Sequence, residues 1–269
     1  MPAVREAVVD GLFYPAAPTA LRARVAGYLL SAQPEERAAR APKLMIVPHA
    51  GYDYCGAVAA QAYARLRGKS ARELRRVVLL GPAHRVALDG LAAPEAQAFD
   101  TPLGRVEVDT DALAELDDLP QVRRSDAAHA REHSIEVQLP FLQSLLGDGF
   151  ALVPLVVGRA GADAVAQVLE RLWGGDDTLI VISSDLSHYL PYEQARDVDR
   201  ATVQRILAFD AGLGPEEACG AAAINGALRA GRRHGLAARL VDLRNSGDTA
   251  GDRRRVVGYG AIVFEEPAR

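Results

Sequence analysis

Four short segments of this chain place a histidine at or near the end of an apolar run. They carry His49, His84, His133 and His188, four of the six histidines in the sequence. An open α/β sheet binds its ligands just beyond the carboxyl ends of its strands, so we expect His49, His84 and His188 to meet at one rim. Imidazoles gathered in this way form metal sites or proton-transfer sites. The simpler alternative is that each histidine only terminates a strand.

Asp185 and His188 follow a predicted strand and are three residues apart. A carboxylate beside an imidazole fixes its tautomer and raises its basicity, as general acid–base catalysis requires. We therefore predict catalytic roles for both, although a polar loop at a strand end would have the same pattern. His133 and Glu136 share one helix face. That spacing can serve a metal, but it also builds an ordinary hydrogen-bonded pair. For His133 we favour a catalytic or supporting role beside the substrate over direct metal ligation, and for Glu136 a structural role.

Tyr52 and Tyr54 follow His49 closely, and their hydroxyl groups are predicted to line a substrate pocket. Cys219 lies near the start of a predicted helix, where a thiolate is favoured and can bind a soft metal. Taken alone, Cys219 would more often be a packing cysteine, and Cys55 keeps that interpretation. His129 and His234 stand in charged segments that suggest exposure, and neither is assigned a role.

Apolar runs alternate with longer amphipathic stretches along most of the chain. The predicted strands are Leu44–Val47, Arg76–Leu80, Arg105–Val108, Ala151–Val157, Thr178–Ser183, Ala238–Leu243 and Val256–Phe264. The predicted helices are Thr19–Ser31, Ala57–Arg67, Asp111–Leu116, Ser134–Leu146, Ala162–Leu172, Tyr192–Phe209 and Pro215–Arg229. Pro215 and two glutamates suit the first turn of the last helix, and Gly231 is predicted to end it.

This alternation predicts an α/β/α sandwich with a largely parallel or mixed central sheet. Several strands are continuous apolar runs, as expected where both faces of the sheet are covered. Residues 117–132 form a long polar connection that could lie over the rim. Because the sequence shows neither repeats nor a long linker, residues 1–269 are predicted to form one domain.

Composition and charge exclude several functional classes. Of the 269 residues, 49% are hydrophobic and 25% charged, which is typical of a globular protein. A net charge of −4 argues against nucleic-acid partners, and no apolar stretch is long enough to span a membrane. The N-terminal segment lacks the apolar core of a signal peptide, so a cytoplasmic location is predicted. The chain also lacks GxSxG, Walker, GxGxxG and HExxH motifs.

In these segments the chain resembles the Memo family, whose bacterial and archaeal members are often called AmmeMemoRadiSam system protein B. The similarity lies in Gly11-Leu12-Phe13-Tyr14-Pro15, Pro48-His49-Ala50-Gly51-Tyr52, Tyr54-Cys55-Gly56, Gly81-Pro82-Ala83-His84, Glu132-His133-Ser134-Ile135-Glu136, Leu139-Pro140, Ser183-Ser184-Asp185 and Ala218-Cys219-Gly220. These segments span nearly the whole chain in the expected order. Asp10 and Arg85 are minor departures from the family pattern.

The resemblance implies a fold similar to that of class III extradiol dioxygenases, non-haem iron enzymes that open catechol rings. It also implies that His49, His84 and Cys219 bind a metal ion, with Asp185 and His188 nearby. Because the cysteine replaces a carboxylate ligand of those dioxygenases, ring cleavage does not follow. The donor set suits iron(II), copper or zinc. The family implies iron(II) or copper, with zinc less favoured, and a functional link to a radical-SAM protein.

Three functions therefore compete. The first is redox chemistry at a metal ion on a small-molecule or peptide ligand, with His188 and His133 moving protons. The second is a protein without catalytic activity that binds a peptide or small anion in the same pocket, as the resemblance implies for animal members. The third and weakest is a zinc hydrolase in which Asp185 is the base.

Overall fold

The computed structural model describes residues 3–32, 41–70 and 72–267. Its strands are β1 (Val4–Arg5), β2 (Leu44–Val47), β3 (Arg76–Pro82), β4 (Leu91–Ala93), β5 (Ala98–Thr101), β6 (Gly104–Glu107), β7 (Val122–Arg124), β8 (Ala151–Val157), β9 (Thr178–Ser183), β10 (His188–Leu190), β11 (Ala237–Asn245) and β12 (Val256–Glu265). Its helices are α1 (Pro18–Ser31), α2 (Tyr52–Tyr63), α3 (Thr110–Ala114), α4 (Asp126–His129), α5 (His133–Glu136), α6 (Leu139–Leu146), α7 (Ala162–Arg171), α8 (Tyr192–Leu207) and α9 (Ala221–Arg233).

Most of these strands form one mixed sheet, which in the described part of the chain has nine strands in the order β10-β12-β2-β9-β3-β8-β4-β7, with β11 paired to β12. The four central strands β2, β9, β3 and β8 are parallel, whereas β12 and β4 join them antiparallel. Strands β1, β5 and β6 form a separate small sheet. The predicted mixed α/β fold is confirmed.

The central strands are buried along almost their whole length, because their continuous runs of Val, Leu and Ile lie beneath packed helices. Helix α9 packs against β2, β3 and β9, and α2 packs against β2, β11 and β12. Helix α7 buries one apolar stripe, formed by Val165, Ala166, Val168 and Leu169, as its amphipathic pattern predicts. Together these side chains make one continuous hydrophobic core.

Strands β2, β8 and β9 have the predicted bounds, but the predicted helix Pro215–Arg229 is wrong at both ends. Helix α9 begins only at Ala221 and continues through Gly231 to Arg233. Residues 215–217 form a turn instead, and the Glu217 carboxylate accepts hydrogen bonds from the Gly214 amide and from Arg205.

Other differences concern helix breaks and short strands. The predicted helix Ser134–Leu146 is divided into α5 and α6, with Pro140 in the first turn of α6. The polar connection at residues 117–132 contains β7 and α4. His129 in α4 is only 2% exposed, contrary to prediction, and its Nε2 lies 2.9 Å from the Ala92 carbonyl oxygen. Within the described ranges, no helix combines the length and apolar character needed to cross a membrane.

Asp199 on α8 is a buried carboxylate that holds the chain just before β10. Its Oδ1 accepts a hydrogen bond of 2.9 Å from the Ser187 amide, and Gly258 on β12 leaves the space that the carboxylate occupies. Burial raises the pKa of Asp199 to about 6, although the Ser187 hydrogen bond lowers it. At this group the folded state then binds more protons than the unfolded state between about pH 4 and pH 6, so the contribution of Asp199 to stability falls as the pH rises through this window.

Replacing Asp199 with asparagine is expected to stabilise the protein by about 1–3 kcal/mol at pH 8. The amide oxygen can still accept from Ser187, and no charge is buried. Thermal unfolding at pH 8 and pH 4 measures the effect, and the difference from wild type should shrink at pH 4. As a control, Asp197→Asn on the same helix removes an exposed carboxylate and should change the melting temperature little. A destabilised Asp199→Asn variant at pH 8 would contradict the expectation.

Candidate metal centre

The carboxyl ends of three neighbouring strands build the candidate site. Strands β2, β9 and β3 are adjacent and parallel, with Val47 paired to Ser183 and Leu80 paired to Ile182. The residues that follow these strands therefore leave the same edge of the sheet. His49 lies two residues beyond β2 and His84 two residues beyond β3.

His49, His84 and Cys219 each have one ligand atom within 4.8 Å of those of the other two. His49 Nε2 and Cys219 Sγ lie 3.3 Å apart. Two donors on a tetrahedral ion, each at about 2.0–2.3 Å from it, would be about 3.5 Å apart. The residues present therefore fit a shared metal ion. The structure brings the three predicted ligands together, and their binding of a metal stays a prediction.

His49 is the most enclosed of the three, with 2% of its surface exposed. Its amide donates to Asp185 Oδ1 at 2.8 Å, and its Nδ1 lies 2.9 Å from Ser183 Oγ. Burial, and the neighbouring imidazoles of His84 and His133, hold the pKa of His49 well below its usual range. The ring is therefore neutral, which is the form that binds metals.

Cys219 lies in the turn before α9, followed by Gly220 at the position that precedes the helix. Its amide donates to the Asp185 carbonyl oxygen at 3.3 Å, and this bond ties the turn to the end of β9. Burial, and the nearby carboxylate of Asp185, raise the pKa of the Cys219 thiol to about 12. The predicted position within a helix is wrong, because the cysteine is placed by the turn and by its contact with residue 185.

Glu132 orients His84, although the sequence predicted no role for Glu132. Its Oε1 lies 2.9 Å from His84 Nδ1 and its Oε2 accepts from the His84 amide at 2.7 Å. Burial alone would raise the pKa of Glu132, but hydrogen bonds from His84 and from the Ser134 amide lower it to about 2. Since an ionised carboxylate only accepts, His84 Nδ1 carries the proton and Nε2 is free to bind a metal.

His133, the first residue of α5, lies beside both predicted histidine ligands. Its ring centroid is 4.7 Å from that of His84 and 5.4 Å from that of His49. Gly81 allows α5 to lie this close to β3, because a Cβ there would overlap Ser134. Burial lowers the pKa of His133 to about 4. The ring lies where it could contact a ligand of the site, and its catalytic role stays a prediction.

Asp185 and His188 do not form the predicted pair. The Asp185 carboxylate accepts a hydrogen bond from the His49 amide instead of contacting His188. Burial raises the pKa of Asp185 to about 7, although this hydrogen bond lowers it. His188 Nδ1 instead lies 2.8 Å from the Leu186 carbonyl oxygen, at the start of the edge strand β10. Asp185 therefore positions His49 in the structure, and catalytic roles for Asp185 and His188 remain predictions.

A family model described as "Memo-like protein" matches residues 5–263 of the chain. The chain belongs to the Memo-like family. It is 36% identical to a MEMO1 family protein of Aquifex aeolicus, over 97% of this chain and 99% of that protein. It is 37% identical to one of Ignicoccus hospitalis over 82% of each chain, and 35% identical to one of Archaeoglobus fulgidus over 97% and 99%. The predicted family is thus confirmed.

The two tyrosines that follow His49 have different positions in this Memo-like protein. Tyr52 is 3% exposed, and its hydroxyl donates to the Val137 carbonyl oxygen at 2.7 Å. This hydroxyl was predicted to line a pocket, but it is buried in the core. Tyr54 is 43% exposed, and its hydroxyl is the one of the two that remains a candidate for contact with a ligand.

Replacing Glu132 with glutamine is expected to lower the metal affinity of this Memo-like protein about 10- to 100-fold. The two Glu132 oxygens accept from the His84 amide, from His84 Nδ1 and from the Ser134 amide. In glutamine an NH₂ group replaces one of these oxygens and the charge is lost, so His84 is supported less well. Competition with a chromogenic chelator, performed without oxygen, measures the affinity. Glu170 bonds His234 in a separate pair of 2.8 Å, so Glu170→Gln is the matched control. Equal affinities of wild type and Glu132→Gln would refute this role.

Proposed function

We propose that this Memo-like protein binds one transition-metal ion through His49, His84 and Cys219 and uses it in redox chemistry on a small-molecule or peptide ligand. One observation carries the proposal: the three donor atoms lie within 4.8 Å of one another although they come from distant parts of the chain. On ligand softness alone, two imidazoles and a sulfur suit iron(II), copper or zinc. The resemblance to the family favours iron(II) or copper.

The bound ion would supply the redox chemistry. The protein would orient the metal ligands and enclose the site. Glu132 and Asp185 hold the two histidine ligands through the hydrogen bonds described above. The Phe13 ring packs beside His133 with a centroid distance of 4.7 Å and places an apolar group next to the site. His133 and His188 would hold or move protons at their ring nitrogens.

Purification of the full chain without oxygen, followed by elemental analysis, tests the proposal. We expect close to one iron or copper per chain and its loss in a His49→Ala/His84→Ala variant that keeps its fold. Wild-type protein that holds neither metal, and that takes up neither in titrations, would overturn it.

Two further outcomes would each replace the redox proposal with a competing function. Exclusive zinc occupancy with ester or amide cleavage would indicate a hydrolase. Tight binding of a peptide or anion, with metal present and no electron transfer to any oxidant tested, would indicate a binding protein.

A further inference from the structure

A buried hydrogen-bond network lies behind His49, on the side away from Cys219. Ser183, the last residue of β9, is fully buried, and its Oγ lies 2.9 Å from His49 Nδ1. The same oxygen lies 2.7 Å from the Ser134 carbonyl oxygen and 2.8 Å from Gln138 Nε2. One hydroxyl group thus meets three polar partners, and its single hydrogen can serve only one of them.

The partners of Gln138 fix the direction of its amide. Its nitrogen lies 3.0 Å from the Pro48 carbonyl oxygen, which can only accept. Its Oε1 accepts from the Tyr63 hydroxyl at 2.9 Å. Reversing the amide would place two oxygens against each other at Pro48, so the NH₂ group faces both Pro48 and Ser183.

The direction of the Ser183 hydroxyl follows. The Ser134 carbonyl oxygen has no proton to give, so the contact of 2.7 Å requires the Ser183 hydrogen. Gln138 Nε2 donates to Ser183 Oγ. Ser183 can therefore only accept from His49, which means that His49 Nδ1 carries a proton and Nε2 presents its lone pair toward Cys219 Sγ, 3.3 Å away.

We propose that Ser183 and Gln138 are positioning residues that lock His49 in the Nδ1–H tautomer and thereby present its Nε2 lone pair to the metal. The tautomer follows from the protein's own hydrogen bonds, whereas its effect on metal binding rests on the proposed function. The opposite tautomer would put an N–H at the metal position and leave two acceptors facing each other at Ser183. Outer partners of this kind set which nitrogen of a histidine binds a metal.

The first test needs no metal, and it measures the tautomer in the wild-type protein. Long-range ¹H–¹⁵N NMR of the metal-free wild type at pH 8 reports which ring nitrogen of each histidine is protonated. Loss of one signal set in His49→Gln assigns residue 49. We expect a proton on Nδ1 and an unprotonated Nε2. A proton on Nε2 would overturn the proposal, whether or not the protein binds a metal.

The second test compares Ser183→Ala with Thr202→Val. Thr202 is also buried, and its hydroxyl bonds the Val198 carbonyl oxygen at 3.0 Å within α8. Ser183→Ala is expected to shift the His49 tautomer and to lower the zinc(II) and iron(II) affinities about 10- to 100-fold, while Thr202→Val changes neither. Unchanged tautomer and affinity in a folded Ser183→Ala variant would count against the proposal. If Ser183→Ala does not fold, the wild-type spectrum alone decides.

Discussion

Replacing Cys219 with serine is expected to lower the iron(II) or copper affinity by more than about 100-fold, beyond the effect of losing an outer partner. A serine hydroxyl is a harder and far less acidic donor than a thiol, so it replaces sulfur poorly on a soft ion. The sulfur also lies 3.3 Å from His49 Nε2. Chelator competition without oxygen, with circular dichroism to verify the fold, measures the change.

Cys55 provides the matched control, because it is the other cysteine of the chain. It is buried in α2, and its Sγ donates to the Ala50 carbonyl oxygen at 3.1 Å, a bond that a hydroxyl can also make. Cys55→Ser should keep the wild-type metal affinity. An equal loss in both variants would show that the effect is structural, and no loss in Cys219→Ser would remove this residue from the ligand set.

Replacing Glu136 with glutamine is expected to destabilise the protein by about 3–5 kcal/mol. The Glu136 side chain is fully buried and forms an ion pair with Arg5. It also accepts hydrogen bonds from Tyr14 and from the amides of Val8 and Val9. The neutral amide would leave a buried guanidinium without its counter-charge, so the melting temperature should fall by roughly 6–20 °C.

Two comparisons separate charge burial from general damage. Arg24→Ala breaks the exposed pair with Asp53 and should change stability by less than about 1 kcal/mol. Combining Glu136→Gln with Arg5→Met removes both charges and should recover part of the lost stability. A single Glu136→Gln variant as stable as wild type would show that the pair contributes nothing.

The central sheet and two of the three candidate ligands were predictable from sequence. The runs that form β2, β8 and β9 are short, continuous and apolar, and this pattern is typical of strands that helices cover on both faces. His49 and His84 each follow such a run. Parallel neighbours end at one edge, so their proximity follows from the topology alone.

The supporting contacts of the site were not predictable in the same way. The proximity of Asp185 and His188 in sequence suggested a pair, but the chain turns between them and Asp185 bonds the His49 amide instead. Glu132 was visible only as part of a motif. Its side chain caps α5 by accepting from the Ser134 amide, but glutamate is not among the residues that usually signal such a cap. Gln138 gave no signal, because its importance depends on partners that only the folded chain brings together.

His49 and Cys219 are 170 positions apart in the sequence. A chain emerging from the ribosome can therefore offer no complete set of donors until most of the protein has been synthesised and the turn at residue 219 has docked on the sheet. Under the proposed function, incorporation of the metal should follow folding, and an ion that binds only the folded structure would stabilise it by mass action. Under the same proposal, cells short of that ion would hold more of the protein in its less stable, metal-free form, which is more exposed to proteolysis.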